Sequence, residues 1–392
     1  MRLGHGSEQP TEREGAMHKR TLSALLSLTV AALVAGAAGA QQQGQREGEN
    51  VTRGLEAAQR AQTAGARGKW EPAKAFPIPM EESVGAAVNG KLYILQGLTD
   101  GGFQPMGVVY VYDPATDQWA KKKEMPLPAH HVMTTVHDGK IYLFGGFARP
   151  GKELAWQPID NAWEYTPDTD AWRALAPLPT RRGAGGAAVV NGKIYVVGGA
   201  STLPGASDPA IRFDGQPRDS VLGTNEEYDP ATNTWKARAS MPTARNHFLT
   251  AEVGGRIFTI GGRLGSTFVT RSSNTEVNEE YDVAQDIWRT RAPMPTARSG
   301  VAGGVHAGKI YVAGGEFQND KIMAAFRAFE AYDPATNSWD GNLPRMRIPR
   351  HGFAGAVIGD RLHVVGGGIQ TAGIPGAVVY TDTHDIFDYT KN

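Results

Sequence analysis

The chain of 392 residues contains no cysteine, which excludes disulfide bonds, thiolate metal sites and cysteine nucleophiles. It also lacks net charge, because 40 basic residues balance 40 acidic ones. Binding of nucleic acid through a basic face normally needs an excess of positive charge, so no nucleic-acid partner is expected. The sequence has no HExxH or GxSxG motif and no glycine-rich loop that opens a helix. These absences favour a binding protein over an enzyme.

Long apolar runs are also scarce, and the one present lies near the N-terminus. A basic segment at 17–20 precedes an apolar stretch at 22–34, and Ala38-Gly39-Ala40 offers a small-residue cleavage site. Residues 17–40 therefore predict a cleaved signal peptide, and with it a secreted or periplasmic protein that keeps no membrane span; the alternative for this segment is a membrane anchor.

The segments on either side of this signal have little structure-forming character. Residues 1–16 are polar and precede a good start at Met17, so they are interpreted as a polar extension or a misassigned start. Residues 41–68 are rich in Gln, Gly, Ala and charge, and too poor in large apolar groups to offset the entropy of ordering. They predict a disordered linker before a single domain at 69–392.

The rest of the chain repeats one pattern six times, with single-residue departures in some copies: an apolar run ending in a glycine pair, then Tyr-Asp, then a lone Trp. In the third copy these parts are KIYVVGG at 193–199 and EEYDPATNTW at 226–235, and MPTAR follows at 241–245. The tryptophans of the pattern stand at Trp70, Trp119, Trp172, Trp235, Trp288 and Trp339. A period near fifty residues indicates an array of one supersecondary unit.

Each copy divides into four short strands. In the fifth copy these are 301–305, 310–313, 328–332 and a strand that opens at Trp339, joined by tight turns containing Gly, Pro and Asn. Four β-rich segments per repeat are typical of a propeller blade. The tryptophan is large enough to fill the wedge between neighbouring blades, with the tyrosine packed beside it.

The glycine pair, the Glu-x-Tyr-Asp-Pro-x-Thr-x-x-Trp stretch and the Met-Pro-x-x-Arg element together resemble the kelch family of β-propellers, over residues 70–392. Gln96-Gly97 replaces the glycine pair in the first copy, and Val283 replaces proline in the fourth; both are interpreted as drift within a blade. Copper radical oxidases share this propeller but need a tyrosine crosslinked to cysteine, so they are excluded.

The two ends of the array complete each other. The last copy ends at Asn392, where a fourth strand should begin, and an orphan fourth strand at 69–72 precedes the first copy. The sequence therefore predicts an all-β, six-bladed kelch propeller that the N-terminal strand closes by completing the last blade. Closure removes exposed sheet edges, and a monomer is expected.

Connections between strands alternate between two faces of such a propeller. The hairpin and Asp-Pro turns fall on one face and are short in every copy, whereas the loops after the glycine pairs fall on the other and vary in length. The longest follows Gly199 and contains Pro204, Asp208, Arg212, Phe213 and Arg218. Because recognition is usually placed on loops of a rigid scaffold, a binding site is predicted on this long-loop face.

Four copies carry an arginine sixteen residues before the first glycine of the pair: Arg182, Arg245, Arg298 and Arg350. The kelch resemblance implies that arginines here contact acidic ligand groups, which suits paired guanidinium donors. Acidic residues also recur on the third strands, namely Glu226, Glu279, Glu330 and Asp385. Salt bridges within or between blades are the alternative role, and the sequence leaves both open.

The residues beside these arginines differ from copy to copy, which a purely structural repeat does not require. The ligand-binding candidates added on this basis are His130, Asn246, His247, Ser299 and His351. His130 and His131 are neighbours on a strand and should point to opposite faces, which disfavours shared metal ligation. No metal and no cofactor is expected.

The function predicted from these observations is that of an exported kelch-repeat protein that binds a polypeptide or glycan, with no catalytic residue assigned. The alternative is a periplasmic sugar epimerase or mutarotase acting on an anionic sugar such as sialic acid, a type of protein that the repeat also resembles. Such an enzyme needs an acid and a base near the sugar, and Glu82, His247 and His351 are the candidates.

Overall fold

The computed structural model of the chain describes residues 68–391, apart from 100–103, 150, 152–154, 206–209, 213–218, 320 and 371–378. The predicted signal peptide and almost all of the predicted linker lie outside the described residues, as do Asp208, Phe213 and Arg218. In the described part, no helix has the length and apolar character needed to cross a membrane.

In the described residues, six four-stranded antiparallel sheets form the body of the fold. From the innermost to the outermost strand, blade 1 consists of Val84–Val88, Lys91–Thr99, Gln104–Asp113 and Gln118–Lys121. In the same order, blade 2 consists of Met133–His137, Lys140–Phe144, Ala162–Thr166 and Ala171–Ala174. Blade 3 consists of Gly186–Val190, Lys193–Val197, Asn225–Asp229 and Thr234–Arg238. Blade 4 consists of Leu249–Val253, Arg256–Ile260, Asn278–Asp282 and Ile287–Thr290. Blade 5 consists of Ala302–His306, Lys309–Ala313, Phe329–Asp333 and Ser338–Asp340. Blade 6 consists of Ala354–Ile358, Arg361–Val365, His384–Asp388 and, outermost, Lys69–Pro72.

The N-terminal strand closes the ring, as predicted. Lys69–Pro72 pairs antiparallel with His384–Asp388, and Trp70 lies opposite Phe387. Each innermost strand contacts the innermost strands of both neighbouring blades, so that blade 6 meets blades 1 and 5. The predicted all-β propeller is confirmed, and the described residues form six blades.

The repeated tryptophans join neighbouring blades. The indole N–H of Trp119 donates to the carbonyl of Lys74 (3.0 Å), in the connection that enters blade 1 from blade 6. Beside it, the Tyr112 hydroxyl donates to Asp117 (2.7 Å), and the Tyr112 and Trp119 rings lie 5.1 Å apart. At the closing seam, Trp70 donates in the same way to Pro344 (2.9 Å). The wedge role predicted for tryptophan is confirmed.

The loops after the glycine pairs add short strands above the blades. They are Phe147–Ala148, Ala155–Pro158, Ala200–Thr202, Ile211–Arg212, Asp219–Val221, Arg263–Leu264, Ser273–Asn274, Glu316–Gln318 and Met323–Ala325, with one 3-10 turn at Val269–Arg271. Ile211–Arg212 of blade 3 pairs with Ala155–Pro158 of blade 2, and Trp156 packs against Phe268 of blade 4 (5.0 Å). The loops of three consecutive blades therefore interlock.

Two buried histidines lie at the seam between blades 6 and 1. His363 Nδ1 lies 3.0 Å from His384 Nε2, and His384 Nδ1 lies 3.2 Å from the Lys74 carbonyl. Burial lowers the pKa of His363 to about 3, with further lowering by His384 and Arg361. Burial also lowers the pKa of His384 to about 4. Both side chains are therefore neutral in the folded protein.

This pair predicts that the fold is sensitive to acid. The unfolded chain takes up protons near pH 6.5, whereas the folded state resists them until about pH 4, so stability falls as pH drops through that window. The loss is on the order of 3 kcal/mol for each histidine. Phe258 and Phe329 occupy the equivalent places in blades 4 and 5, so the double variant His363→Phe, His384→Phe should flatten the profile.

Urea unfolding between pH 7 and pH 4 measures this effect. The surface variant His137→Asn should keep the wild-type slope, since that side chain is partly exposed. Equal slopes in the wild type and the double phenylalanine variant would refute the account of the seam.

Candidate functional site

Six equivalent residues, one from each blade, form a closed ring around the propeller axis. This axial ring consists of Glu82, His131, Ala184, His247, Gly300 and Gly352, all with φ between 50° and 65°. At five of the six junctions a ring N–H donates to the ring carbonyl of the neighbouring blade, as His247 does to Ala184 (2.8 Å). The left-handed backbone turns each residue toward the axis, and the ring side chains project there.

At the sixth junction, between blades 1 and 2, the Glu82 carbonyl accepts instead from a side chain of its own blade. Gln96 is buried with φ of +49°, and its Nε2 donates to the carbonyl of Glu82 (2.8 Å). The interpretation of Gln96-Gly97 as drift stays a prediction, although Gln96 makes a contact that a glycine cannot make.

A cavity of about 240 Å³ lies on the axis beside the ring. It is lined by the ring and the first halves of the six innermost strands, including Val84, Thr134 and Thr250. The side chains of His130 and His351, which come directly before ring residues in the chain, have no exposed surface. The innermost strands, which follow the ring residues in the chain, contain residues of intermediate exposure. The cavity therefore opens toward the short-turn face, whereas the predicted site lies on the long-loop face.

Three of the six ring residues carry side chains with metal-ligating atoms. The ligating atoms of Glu82, His131 and His247 all lie within 4.8 Å of one another. His131 Nε2 is 3.0 Å from Glu82 Oε2, and the two imidazole rings lie 4.6 Å apart. Burial raises the pKa of Glu82, but the charge and hydrogen bond of His131 outweigh it and hold the pKa at about 2. Burial lowers the pKa of His247 well below its ordinary value, and Arg263 adds to this.

The two adjacent histidines contact each other, which corrects the prediction that they point to opposite faces. Their Nδ1 atoms lie 2.5 Å apart, and both rings pack against Trp156. His131 has φ of +55°, so the chain is not extended there and the alternation of a strand does not apply. The turn frees His131 to meet residues from other blades, and the sequence argument against a metal site fails.

A buried ionic cluster lies directly above the axial ring. His351 Nε2 is 3.3 Å from Glu81 and 3.5 Å from Glu316, and Arg263 donates to Glu316 (3.1 Å). Burial alone lowers the pKa of His351, but the charges of Glu316 and Glu81 raise it to about 9. Burial raises the pKa of Glu81. Because the cluster is inaccessible, His351 cannot act on a sugar together with Glu82 and His247.

The four repeated arginines are fully buried in ion pairs within their own blades. The pairs are Arg182 with Glu226 (2.5 Å), Arg298 with Glu330 (2.6 Å), Arg350 with Asp385 (2.6 Å), and Arg245 with Glu279. The structure therefore places them in the pairing role that the sequence left open. The prediction that these arginines contact a ligand is corrected, because none of the four side chains is accessible from outside the fold.

Blade 3 shows why the repeat conserves this arrangement among its copies. Arg182 Nε donates to the carbonyl of Gly198, the first glycine of the pair (2.9 Å). Thr180 donates to the same Glu226 carboxylate (2.7 Å) and accepts from Arg182 through its backbone carbonyl (2.9 Å). The Pro-Thr-x-Arg element, the glutamate and the glycine pair thus form one network inside each such blade.

The remaining predicted ligand-binding residues are buried too. His130, Asn246, Ser299 and His351 have no exposed surface, and only His247 reaches the cavity, with 7% of its surface exposed. Sequence reasoning missed His131, Arg263 and Glu316. Comparing the six copies at the ring position, and at the residue after the glycine pair, would have identified them as polar exceptions.

Comparisons with known proteins agree with this architecture. A model of the KLHDC2/KLHL20/DRC7 Kelch-repeats domain matches residues 66–262, and the Kelch motif matches 244–295 and 297–340. Kelch-like protein terF of Aspergillus terreus is 30% identical over 325 residues, 80% of this chain and 68% of that protein. Human Kelch repeat and BTB domain-containing protein 12 is 29% identical over 196 residues, 48% of this chain but only 30% of that protein.

A solved structure shows the same fold. The structure of YjhT superposes with a TM-score of 0.63 at 20% identity, covering 79% of this chain and 95% of that one. The six four-stranded sheets and the closing N-terminal strand agree with these matches. The chain therefore belongs to the kelch-repeat family of β-propeller proteins.

Proposed function

We propose that this protein is a non-catalytic binding propeller that recognises a polypeptide on its long-loop face. The observation that carries the proposal is the distribution of exposed large apolar side chains. Among the described residues there are five, and four of them lie in loops after the glycine pairs: Leu203, Met323, Ile369 and Val379. Exposed apolar side chains gathered on one face favour a protein partner.

Blades 5 and 6 carry most of these side chains. Met323 is 44% exposed on the short hairpin of blade 5, and Ile369 and Val379 are 37% and 49% exposed in the loop of blade 6. The backbone N–H of Ile369 donates to the carbonyl of Val379 (3.0 Å), which holds the two residues side by side. Adjacent apolar side chains on a rigid blade can contact one extended segment of a partner.

The same side chains favour a polypeptide over a glycan. Sugar rings are commonly held on flat aromatic surfaces, whereas all the large exposed apolar residues in the described part of the chain are aliphatic or methionine. Methionine is flexible and polarisable and is frequent on surfaces that bind peptides. The repeated arginines, which would have selected an acidic ligand, are engaged by carboxylates within the fold.

The alternative of a sugar epimerase has less support. Its acid and base candidates are divided, since Glu82 and His247 line the axial cavity and His351 lies in the buried ionic cluster. Solvent deuterium incorporation into sialic acid would favour the enzyme. Export is part of the proposal and rests on residues 17–40; a secreted chain beginning at Gln41 would support it.

Selection from a library of displayed random peptides tests the proposed face. Peptides enriched on the wild-type protein should lose at least tenfold in affinity for the double variant Met323→Asp, Ile369→Asp, because a carboxylate there opposes apolar contact. Ile287→Asp is the matched control, since Ile287 is equally exposed (41%) but lies on the outermost strand of blade 4.

Two results would contradict the proposal. One is enrichment of peptides that bind the double variant as well as they bind the wild type. The other is equal loss of binding in the Ile287→Asp control, which would indicate general stickiness. Binding on a glycan array with no peptide enriched would replace the polypeptide with a sugar.

A further inference from the structure

We propose that the axial ring binds a divalent transition-metal ion through Glu82, His131 and His247. The three residues come from blades 1, 2 and 4 and converge on the axis at the end of the cavity. This site lies below the interlocked loops and is independent of the long-loop face proposed for polypeptide binding.

The protein supplies too few hydrogen-bond donors for the acceptors that meet at this point. His247 Nε2 has no hydrogen-bond partner and is buried, and its neighbour across the axis is the Glu82 carboxylate, which can only accept. His131 Nε2 has at most one proton to offer to these two acceptors. Lone pairs that converge in a buried space are costly unless a positive ion lies between them.

A second layer of residues fixes the orientation of His247. Its Nδ1 contacts Asn246 Oδ1, while the Asn246 amide nitrogen donates to the carbonyl of Ser266 (2.9 Å). The amide oxygen of Asn246 must therefore accept a hydrogen bond from His247 Nδ1–H, which leaves the lone pair on Nε2 facing the ring. Metal-bound histidines are usually oriented in this way by a partner on the second nitrogen.

The other ring positions leave space for the ligands and for an ion. A Cβ on Gly352 would lie 2.8 Å from the carboxyl carbon of Glu82, so only glycine lets this side chain occupy its place. Gly300 and Ala184 likewise present no ligating group. The side of the site that faces the cavity is therefore free for water or a small oxygen ligand.

Two imidazoles and one carboxylate select the class of metal. This set of nitrogen and oxygen donors suits borderline ions such as Zn²⁺, at about 2.0–2.2 Å from each ligand, and not Ca²⁺ or Mg²⁺, which prefer oxygen alone. The 3.0 Å separation of His131 Nε2 from Glu82 Oε2 is compatible with two ligands of one ion. Three protein ligands leave at least one position open.

Equilibrium dialysis of tag-free protein with Zn²⁺ tests the site, with bound metal measured by mass spectrometry. The wild type, stripped with a chelator, should rebind about one Zn²⁺ per chain. His247→Asn and His131→Asn should each weaken binding at least 100-fold; asparagine tolerates the left-handed backbone but is too short to reach the ion. Glu82→Gln removes the third ligand, and Asn246→Ala should cost about tenfold or more through lost orientation.

His137→Asn is the matched control, because His137 lies on the opposite turn of its blade and outside the ring. It should bind Zn²⁺ within twofold of the wild type. The three ligand variants remove different donors, so unfolding of one leaves two informative. Binding well below one equivalent in the wild type, or equal affinities in the His137 control and the folded ligand variants, would overturn the proposal.

Discussion

Deleting residues 69–76 should leave a chain that does not fold cooperatively, with the thermal unfolding transition lost. The deletion removes the outermost strand of blade 6 together with two aromatic anchors. Trp70 is 8% exposed and packs at 5.1 Å from Phe329 and 5.2 Å from Phe387. Phe76 is 2% exposed and packs at 4.9 Å from Trp119 of blade 1.

The expected loss is large compared with the stability of a domain. Truncating one buried tryptophan or phenylalanine costs about 3–5 kcal/mol, and a folded domain is stable by about 5–15 kcal/mol in total. The deletion also exposes the edge of His384–Asp388 and removes the hydrogen bond from Trp70 to Pro344. An open edge invites pairing with another chain, so aggregation is expected as well.

Point variants in the same strand test the contribution of single side chains to the stability of the closed ring. Trp70→Ala should lower the free energy of unfolding by about 3–5 kcal/mol. Lys69→Ala, at an exposed position of that strand, should change it by less than about 0.5 kcal/mol. Denaturant titration followed by tryptophan fluorescence measures the free energy of unfolding of the deletion variant and of the two point variants. A deletion variant as stable as the wild type would refute closure of the ring by this strand.

Arg182→Ala should lower the free energy of unfolding by about 3–5 kcal/mol, because it leaves Glu226 as an unpaired buried charge. Arg182 has no exposed surface and holds Glu226 at 2.5 Å while donating to the carbonyls of Thr180, Val196 and Gly198. Removing the Arg182 side chain breaks the ion pair and leaves three backbone carbonyls without this donor. A residue that served only to hold a ligand would show no such effect.

The preceding residue supplies the matched control. Arg181 also forms an ion pair, with Asp160 at 2.9 Å, but its side chain is 59% exposed. Water and salt screen such a pair, so Arg181→Ala should cost less than about 1 kcal/mol. Urea unfolding of both variants at one pH makes the comparison, and equal stabilities would contradict the assignment of Arg182 to the fold.

The fold could be predicted from the sequence because each of its rules is local or periodic. The glycine pair, the Tyr-Asp and the tryptophan recur at a period near fifty, and the missing fourth strand at Asn392 matches the orphan at Lys69–Pro72. These signals need no knowledge of distances between blades. The same local logic offered both roles for the arginines without deciding between them.

The convergence of Glu82, His131 and His247 could not be predicted, even though each stands out as a polar exception among the copies, because it depends on a backbone conformation and on contacts between blades. His131 and Glu82 are about fifty residues apart in sequence, and only the ring brings their side chains to 3.0 Å. The left-handed φ of His131 also breaks the strand alternation on which the argument against metal ligation rested. Gln96 shows the same limit, since its partner is a carbonyl on the axis.

At the axial ring the six copies place different side chains at one equivalent position, and three of these side chains can ligate a metal. Anomalous X-ray diffraction from crystals soaked in Zn²⁺ tests this most directly. The predicted result is one strong peak at about 2.0–2.2 Å from His131 Nε2, His247 Nε2 and a Glu82 oxygen. An empty ring, with zinc only at surface histidines such as His137 or His306, would contradict it.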